Sequence, residues 1–264
     1  MKVPIRMITV ATSFLWVLLI IFSVSAIYSM KDIRLDIGKP QTTITLDNEL
    51  LVNFPIGIVN NGYYNLGDFN ISTEIQDTQN SMMAREFTFI SLIKTGETVN
   101  TTHQMRINIT DMLQTHQNLI FNDTELQVNA TVSIKAAELI SLQVSSNSTM
   151  PWGAPLYNLT IATPKFTMQI TPNSTNYYIV AIPVTFENHA FFDLNGTVQL
   201  SMYNNRNIPT GTGKIVLEAP QQSSYRADLE LDVPVAGTTR NGHFEVLIST
   251  PFFNYGPLVI PYGG

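Results

Sequence analysis

The stretch NFPIGIVNNGYYNLGDFNISTEI, Asn53–Ile75, has a counterpart further along the chain in AIPVTFENHAFFDLNGTVQLSMY, Ala181–Tyr203. Aligning Pro55 with Pro183 sets Asn60 against Asn188, Tyr63-Tyr64 against Phe191-Phe192 and Asn65-Leu66 against Asp193-Leu194. After one gap, Ile71, Thr73 and Ile75 fall opposite Val198, Leu200 and Met202. In both copies apolar and polar residues alternate, give way to a turn, and alternate again. Side chains of a strand change face at every residue, so the phrase predicts strand, connection, strand, written twice.

Three further landmarks follow in the same order in each copy. HQMRINIT, His103–Thr110, answers ADLELDV, Ala227–Val233; LQVNATVSI, Leu126–Ile134, answers HFEVLIS, His243–Ser249. Each copy then closes on a Pro-Leu phrase, WGAPLYNLTI at Trp152–Ile161 and NYGPLVIPY at Asn254–Tyr262. Four landmarks in one order indicate a duplication. The segments are short, rich in Val, Ile, Thr, Phe and Tyr, and punctuated by Gly, Pro and Asn. The predicted class is all-β, with roughly seven strands per copy arranged as tandem β-sandwiches. The expected limits are 41–164 and 165–264, with the boundary inside Thr160–Thr175, where Pro164 and Pro172 cannot donate to a ladder. Ile134–Val144 reads as a helical turn or an extra strand.

Ahead of these lies one long apolar segment. No charge occurs from Met7 to Met30, and Ile8–Ile27 is about the 20 residues that cross a ~30 Å hydrocarbon layer. Two readings fit: an uncleaved anchor over 8–29, or a signal peptide cut after Val24-Ser25-Ala26. The anchor reading makes residues 1–7 a short cytoplasmic end and 30–40 a stalk. Lys2 and Arg6 precede the segment, but Lys31, Arg34 and Lys39 follow it, so orientation rests on what lies downstream.

Downstream are nine Asn-X-Ser/Thr sequons: Asn70, Asn100, Asn108, Asn122, Asn129, Asn147, Asn158, Asn173 and Asn195. Eight carry Thr in the third position. On a strand, positions i and i+2 share a face, so Asn108 with Thr110, Asn129 with Thr131 and Asn158 with Thr160 are expected to point outward together. An anchor followed by many sequons predicts a single-pass protein with its N-terminus inside and a glycosylated ectodomain outside. Glycans would also solubilise a surface that is poor in charge, since only 13% of residues are charged. The Asn/Thr-rich, cysteine-free composition suits an archaeal envelope, with a eukaryotic surface as the alternative.

The phrases PIGIVNNGYYNL and PVTFENHAFFDL, each an alternating strand ending in Asn60 or Asn188, resemble the late-embryogenesis-abundant type 2 domain, also called the water-stress and hypersensitive-response domain. The later ADLELDV fits the same pattern. The resemblance spans nearly all of residues 40–264, as two copies. Where the family usually has Asn-Pro, this chain has Asn60-Asn61 and Asn188-His189. The resemblance implies two immunoglobulin-like sandwiches behind one N-terminal anchor. It also implies a binding or stress-associated role, in some members with an apolar groove suited to lipid, and no catalytic residues.

Chemistry-bearing motifs are sparse. Four histidines, His103, His116, His189 and His243, lack metal-ligand spacing, and no cysteine supplies a thiolate. GTGK, Gly211–Lys214, reads as a hairpin turn rather than a phosphate loop. Asp228, Glu230 and Asp232 share one strand face and read as a solvated face beside Arg226. A net charge of −6 without a basic run argues against nucleic acid. Of the doublets Tyr63-Tyr64, Phe191-Phe192 and Phe252-Phe253, either both rings cap a sandwich end or one faces a partner or groove. The sequence thus assigns no catalytic residue, no metal ligand and no cofactor. The expected partners are the membrane and either another protein or a second copy of the chain, with an apolar lipid carrier as the alternative function.

Overall fold

The computed structural model describes residues 5–169 and 176–263, with side chains described for 12–169 and 176–263. Asn173 and Pro172 lie outside the described residues. The chain is all-β apart from one long N-terminal helix and a few short helical turns. It divides into two compact units, residues 1–107 with 126–150, and 108–125 with 151–264.

The first unit holds helix α1 (Ile5–Ser29) and strands β1 (Ile33–Ile37), β2 (Gln41–Ile44), β3 (Glu49–Asn60), β4 (Leu66–Gln76), β5 (Met82–Ile93) and most of β6 (Thr98–Asn108). Strands β7 (Thr124–Ala136) and β8 (Ile140–Trp152) complete its sheets. One sheet is built on β3, which pairs with β1, β2 and β6; the other runs β5-β4-β7-β8. Between them sit Ile56 and Ile58 from β3, Leu66, Phe69 and Ile71 from β4, and Ile93 from β5. All of these but Ile93 are apolar positions of the opening phrase. Burying a side chain of this size contributes about 1.5–3 kcal/mol, so the alternation fixes which face turns inward.

The second unit begins with helices α2 (Ile109–Thr115) and α3 (Asn118–Phe121) and continues with β9 (Tyr157–Ile161), β10 (Lys165–Gln169), β11 (Tyr177–Asn188), β12 (Leu194–Asn204), β13 (Pro209–Ala219), β14 (Ser223–Pro234), β15 (Gly242–Ser249) and β16 (Asn254–Tyr262). Strand β11 pairs with β9, β10 and β14, and the other sheet runs β13-β12-β15-β16. Its core is Val180, Ile182, Val184, Phe186, Val198, Leu200, Leu229, Leu231, Phe244 and Val246, all buried.

Pairing order is therefore the same in the two repeats, with β1–β8 answering β9–β16. Each has eight strands rather than seven, because the edge strand beside β3 and β11 is broken in two. The breaks fall at Gly38-Lys39-Pro40 and Ala162-Thr163-Pro164. Gly38 donates to the Pro55 carbonyl at 2.7 Å, and Ala162 donates to the Pro183 carbonyl at 2.9 Å. Proline lacks the amide a continuous ladder would need at this point.

Three readings of the sequence are corrected by the structure. The phrase WGAPLYNLTI does not close the first copy: its strand β9 pairs with β11, Val184 against Ile161 and Thr185 against Thr160, and so opens the second. Pro164 is accordingly a break within an edge, and a cut after residue 164 does not coincide with the division into compact units. Residues 33–37, expected as stalk, form β1 in register with Asn60–Ile56. Ile134–Val144 is the β7–β8 hairpin, turning at Ala137 and Glu138 with positive φ. Asn108 and Thr110 do not share a strand face. The strand ends at Asn108, whose Oδ1 accepts from the Asp111 amide at 2.9 Å and caps α2.

Candidate functional site

The end of α1 is built into the first unit. Span Thr12–Asp32 is 21 residues with mean hydropathy 2.1, roughly 30 Å at the helical rise, which makes it apolar and long enough to cross a membrane. Phe14 to Ile21 are exposed, as lipid-facing residues would be. The last turns are different. Ala26 and Ser29 are buried against the turn that follows β3. Ser29 Oγ accepts from the Tyr63 amide at 2.6 Å, Ser25 Oγ meets the Tyr64 hydroxyl at 2.7 Å, and the Asp32 carbonyl accepts from the Asn61 amide at 3.2 Å. The Phe22 and Tyr64 rings meet edge to face at 5.6 Å. A Cβ on Gly62 would lie 2.5 Å from Ser29 Oγ, so only glycine allows this approach. Lys31 Nζ lies 3.8 Å from the Tyr28 ring centroid, a basic and aromatic pair of the kind found where a helix leaves the hydrocarbon layer.

The turn itself is held by Asn60. Its Nδ2 donates to the Tyr64 and Ile93 carbonyls at 3.0 and 3.1 Å, and its Oδ1 accepts from the Gly62 amide. Asn188 repeats this, donating to the Phe192 and Ala219 carbonyls and accepting from the Ala190 amide. Asn60 and Asn188 are thus buried structural ties. Of the aromatic doublets, Phe192, Phe252 and Phe253 are buried, Phe191 packs edge to face on Trp152, and Tyr63 is exposed.

Among the described residues six sequon asparagines are exposed: Asn100, Asn108, Asn122, Asn147, Asn158 and Asn195. Asn70 and Asn129 are half-buried, on β4 and β7. Three of these belong to one sheet face. Ser72 is in register with Thr131, and Glu74 with Asn129, which places the Asn70 and Asn129 sequons side by side. Thr131 Oγ1 meets Ser145 Oγ at 3.0 Å, so Ser145 shares that face, and Asn147 two residues on shares it too.

Among the described residues no three His, Asp or Glu side chains come together as a metal site. Asp228, Glu230 and Asp232 are exposed along β14. His103 is buried, bonded to Thr88 at Nδ1 and Thr73 at Nε2. Burial pushes its pKa below the ordinary imidazole value, partly offset by the nearby Glu86. His243 stacks on Tyr203.

The second unit contains a constellation that sequence reading missed. His189 Nδ1 lies 2.7 Å from Asp123 Oδ2 and Nε2 lies 2.8 Å from Glu187 Oε2, while the Tyr157 ring stacks on the imidazole at 4.4 Å. The hydrogen bond to Asp123, joined by that to Glu187, outweighs desolvation and raises the His189 pKa. Two carboxylate acceptors require both ring nitrogens to donate, the bonding pattern of an imidazolium. Around it, Trp152, Phe191 and Gln222 line an open groove of about 680 Å³. Asp123 and His189 are far apart in the chain, so no spacing motif announces them. The small residues Ser25, Ala26 and Ser29, with Gly62 against Ser29, were the available signal for the helix junction.

No family model matches the chain, and no curated protein matches it. Among solved structures, a red sea bream transglutaminase crystal structure is similar over 88% of this chain at 13% identity, with a TM-score of 0.31; the chain spans 31% of its length. A structure described as pT26-6p is similar over 90% at 9% identity, with a TM-score of 0.27, and the chain spans 66% of it. Similarity this slight bears on neither activity nor partners.

Proposed function

We propose that this protein is a non-catalytic, membrane-anchored, N-glycosylated ectodomain that serves as a structural or protein-binding component of the cell envelope. Its N-terminus lies inside, and both β-sandwich units lie outside. The observation that carries this reading is the junction of α1 with the turn after Asn60. The final helical turn leaves the apolar stretch at Tyr28 and Lys31 and is at once hydrogen-bonded to the first sandwich, so an anchor with this end holds that unit close to the bilayer. The exposed sequons support the outward side for the units. The inward positions of both sandwiches are filled by their own side chains, which favours binding on outer surfaces over a lipid carried between the sheets. A late-embryogenesis-abundant type 2 relationship would agree with this role.

Topology is directly testable because the chain contains no cysteine. Single-cysteine variants Lys2→Cys and Thr115→Cys are treated on intact cells with a membrane-impermeant maleimide. The proposal expects labelling at 115 without permeabilisation and at 2 only after it. Labelling at 2 alone on intact cells contradicts it.

A further inference from the structure

The outer face of the β5-β4-β7-β8 sheet carries two exposed aromatic side chains. Phe87 is 72% exposed and Phe89 is 55% exposed. Their cross-strand partners on β4 are Ser72 and Asn70 respectively. These are the third and first residues of one sequon, Asn70-Ile71-Ser72, so each end of the sequon faces one ring across the strand pair. Directly opposed side chains on a sheet face are in reach of each other. On the far side, Thr131 and Ser133 oppose Ser72 and Asn70, and such short side chains leave the rings open.

Asn70 is also distinguished chemically. Its Oδ1 is the one buried side-chain N or O atom among the described residues that has no hydrogen-bond partner. An orphaned buried acceptor is unfavourable, so no hydrogen bond to its Oδ1 fixes this amide, and turning it into solvent relieves the position. We propose that Asn70 carries an N-linked oligosaccharide whose first sugars lie on Phe87 and Phe89, making this sheet face a carbohydrate-covered surface. The inference rests on the glycosylated-ectodomain reading and identifies the side chains its sugars would contact.

The donor is a lipid-linked oligosaccharide phosphate. Asn70 Nδ2 forms a bond to the anomeric carbon while the bond from that carbon to the phosphate oxygen breaks. The amide nitrogen loses one proton, the lipid phosphate leaves, and nothing is oxidised or reduced. A pyranose ring presents a face of C–H bonds to the electron-rich face of an aromatic ring, while its hydroxyls stay in water. Carbohydrate thereby covers exposed aromatic surface that would otherwise promote association. Asn129 and Asn147 stand on the same face, and sugars there would obstruct a protein docked flat on it. That favours glycan over a second copy as the occupant.

The test combines site-resolved glycopeptide mass spectrometry with hydroxyl-radical footprinting of the full chain extracted from its own membrane. Ser72→Ala removes this sequon while keeping Asn70, Ser72→Thr restores it, and Thr102→Ala removes the Asn100 sequon as a control. The expected result is an occupied Asn70, with Phe87 and Phe89 labelled at least about threefold more in Ser72→Ala than in the parent, as for newly bared aromatic surface. Ser72→Thr and Thr102→Ala should label as the parent does. An empty Asn70 beside occupied sequons elsewhere overturns the inference alone. So does unchanged labelling in Ser72→Ala, or protection of the parent that vanishes on dilution. If every sequon is empty, the glycosylated-ectodomain reading falls together with the inference.

Discussion

Asn60 and Asn188 occupy the same place in their repeats: each ends the long strand of one sheet and donates its side-chain amide to a carbonyl at the end of a strand in the other, Ile93 and Ala219, at 3.1 and 2.9 Å. Both are fully buried, and both also close the turn that follows. These asparagines therefore tie the two sheets of a sandwich together at one end.

Replacing either one removes the donor and strands the carbonyls it served. Asn60→Ala and Asn188→Ala are each expected to cost about 2–4 kcal/mol, since buried unsatisfied groups lose their full desolvation compensation. Hydrogen-exchange mass spectrometry of the full chain in detergent reads this locally. Loss of protection in 49–66 but not 177–194 is expected for Asn60→Ala, and the reverse for Asn188→Ala. Unchanged protection in both would contradict the role given to the pair.

His103 and His189 give opposite responses to pH. His103 has a pKa lowered by burial among Thr73, Thr88 and Phe54, with Glu86 opposing. Its contribution to stability is present above the ordinary imidazole value, near 6.5, and is lost as pH falls through the lowered folded-state value. Segments of the first unit should therefore lose exchange protection on acidification, and His103→Gln should flatten that dependence.

His189 runs the other way. Asp123 and Glu187 raise its pKa, so its contribution is complete below the ordinary value and is lost as pH rises through the raised one. The pKa of His189, followed by NMR, should fall in Asp123→Asn and fall less in Glu187→Gln, matching the larger share of the Asp123 hydrogen bond. Absent shifts would show that the clamp is not formed, and equal shifts that Asp123 does not hold the larger share.

Gly62 tests the helix junction. In Gly62→Ala the new methyl meets Ser29 Oγ at 2.5 Å and the Ser29 carbonyl at 2.8 Å. The helix end and the turn must part, at a cost of about 1–3 kcal/mol typical of overpacking. The Tyr63 amide should then exchange freely, because its bond to Ser29 Oγ is broken. If it stays protected, the close approach is not maintained by glycine.

The alternating phrases were legible because period-two burial is a local property: Ile56, Ile58 and Ile71 announce their face from their own neighbours. Asn60 and Asn188 stood out by position, but their role as inter-sheet ties was invisible, since Ile93 and Ala219 are brought close only by the fold. The misplaced closing phrase has a plain cause. A shared Pro-Leu dipeptide is compositional, whereas membership of a repeat is decided by pairing, and β9 finds its partner in β11. Helix α2 has seven residues, two turns, too short for a helical period to emerge. The Asp123–His189 clamp and the Asn70–Phe89 pairing depend on register and packing, and no local motif encodes either.

The most direct test of the anchored, glycosylated ectodomain is the intact mass of the full chain, gently extracted from its own membrane, before and after removal of N-glycans. The account predicts a species heavier than the 29.5 kDa polypeptide, carrying the α1 segment and shifting down to the polypeptide mass on deglycosylation. A chain beginning after Ala26, or one that retains α1 but bears no sugar, would contradict it.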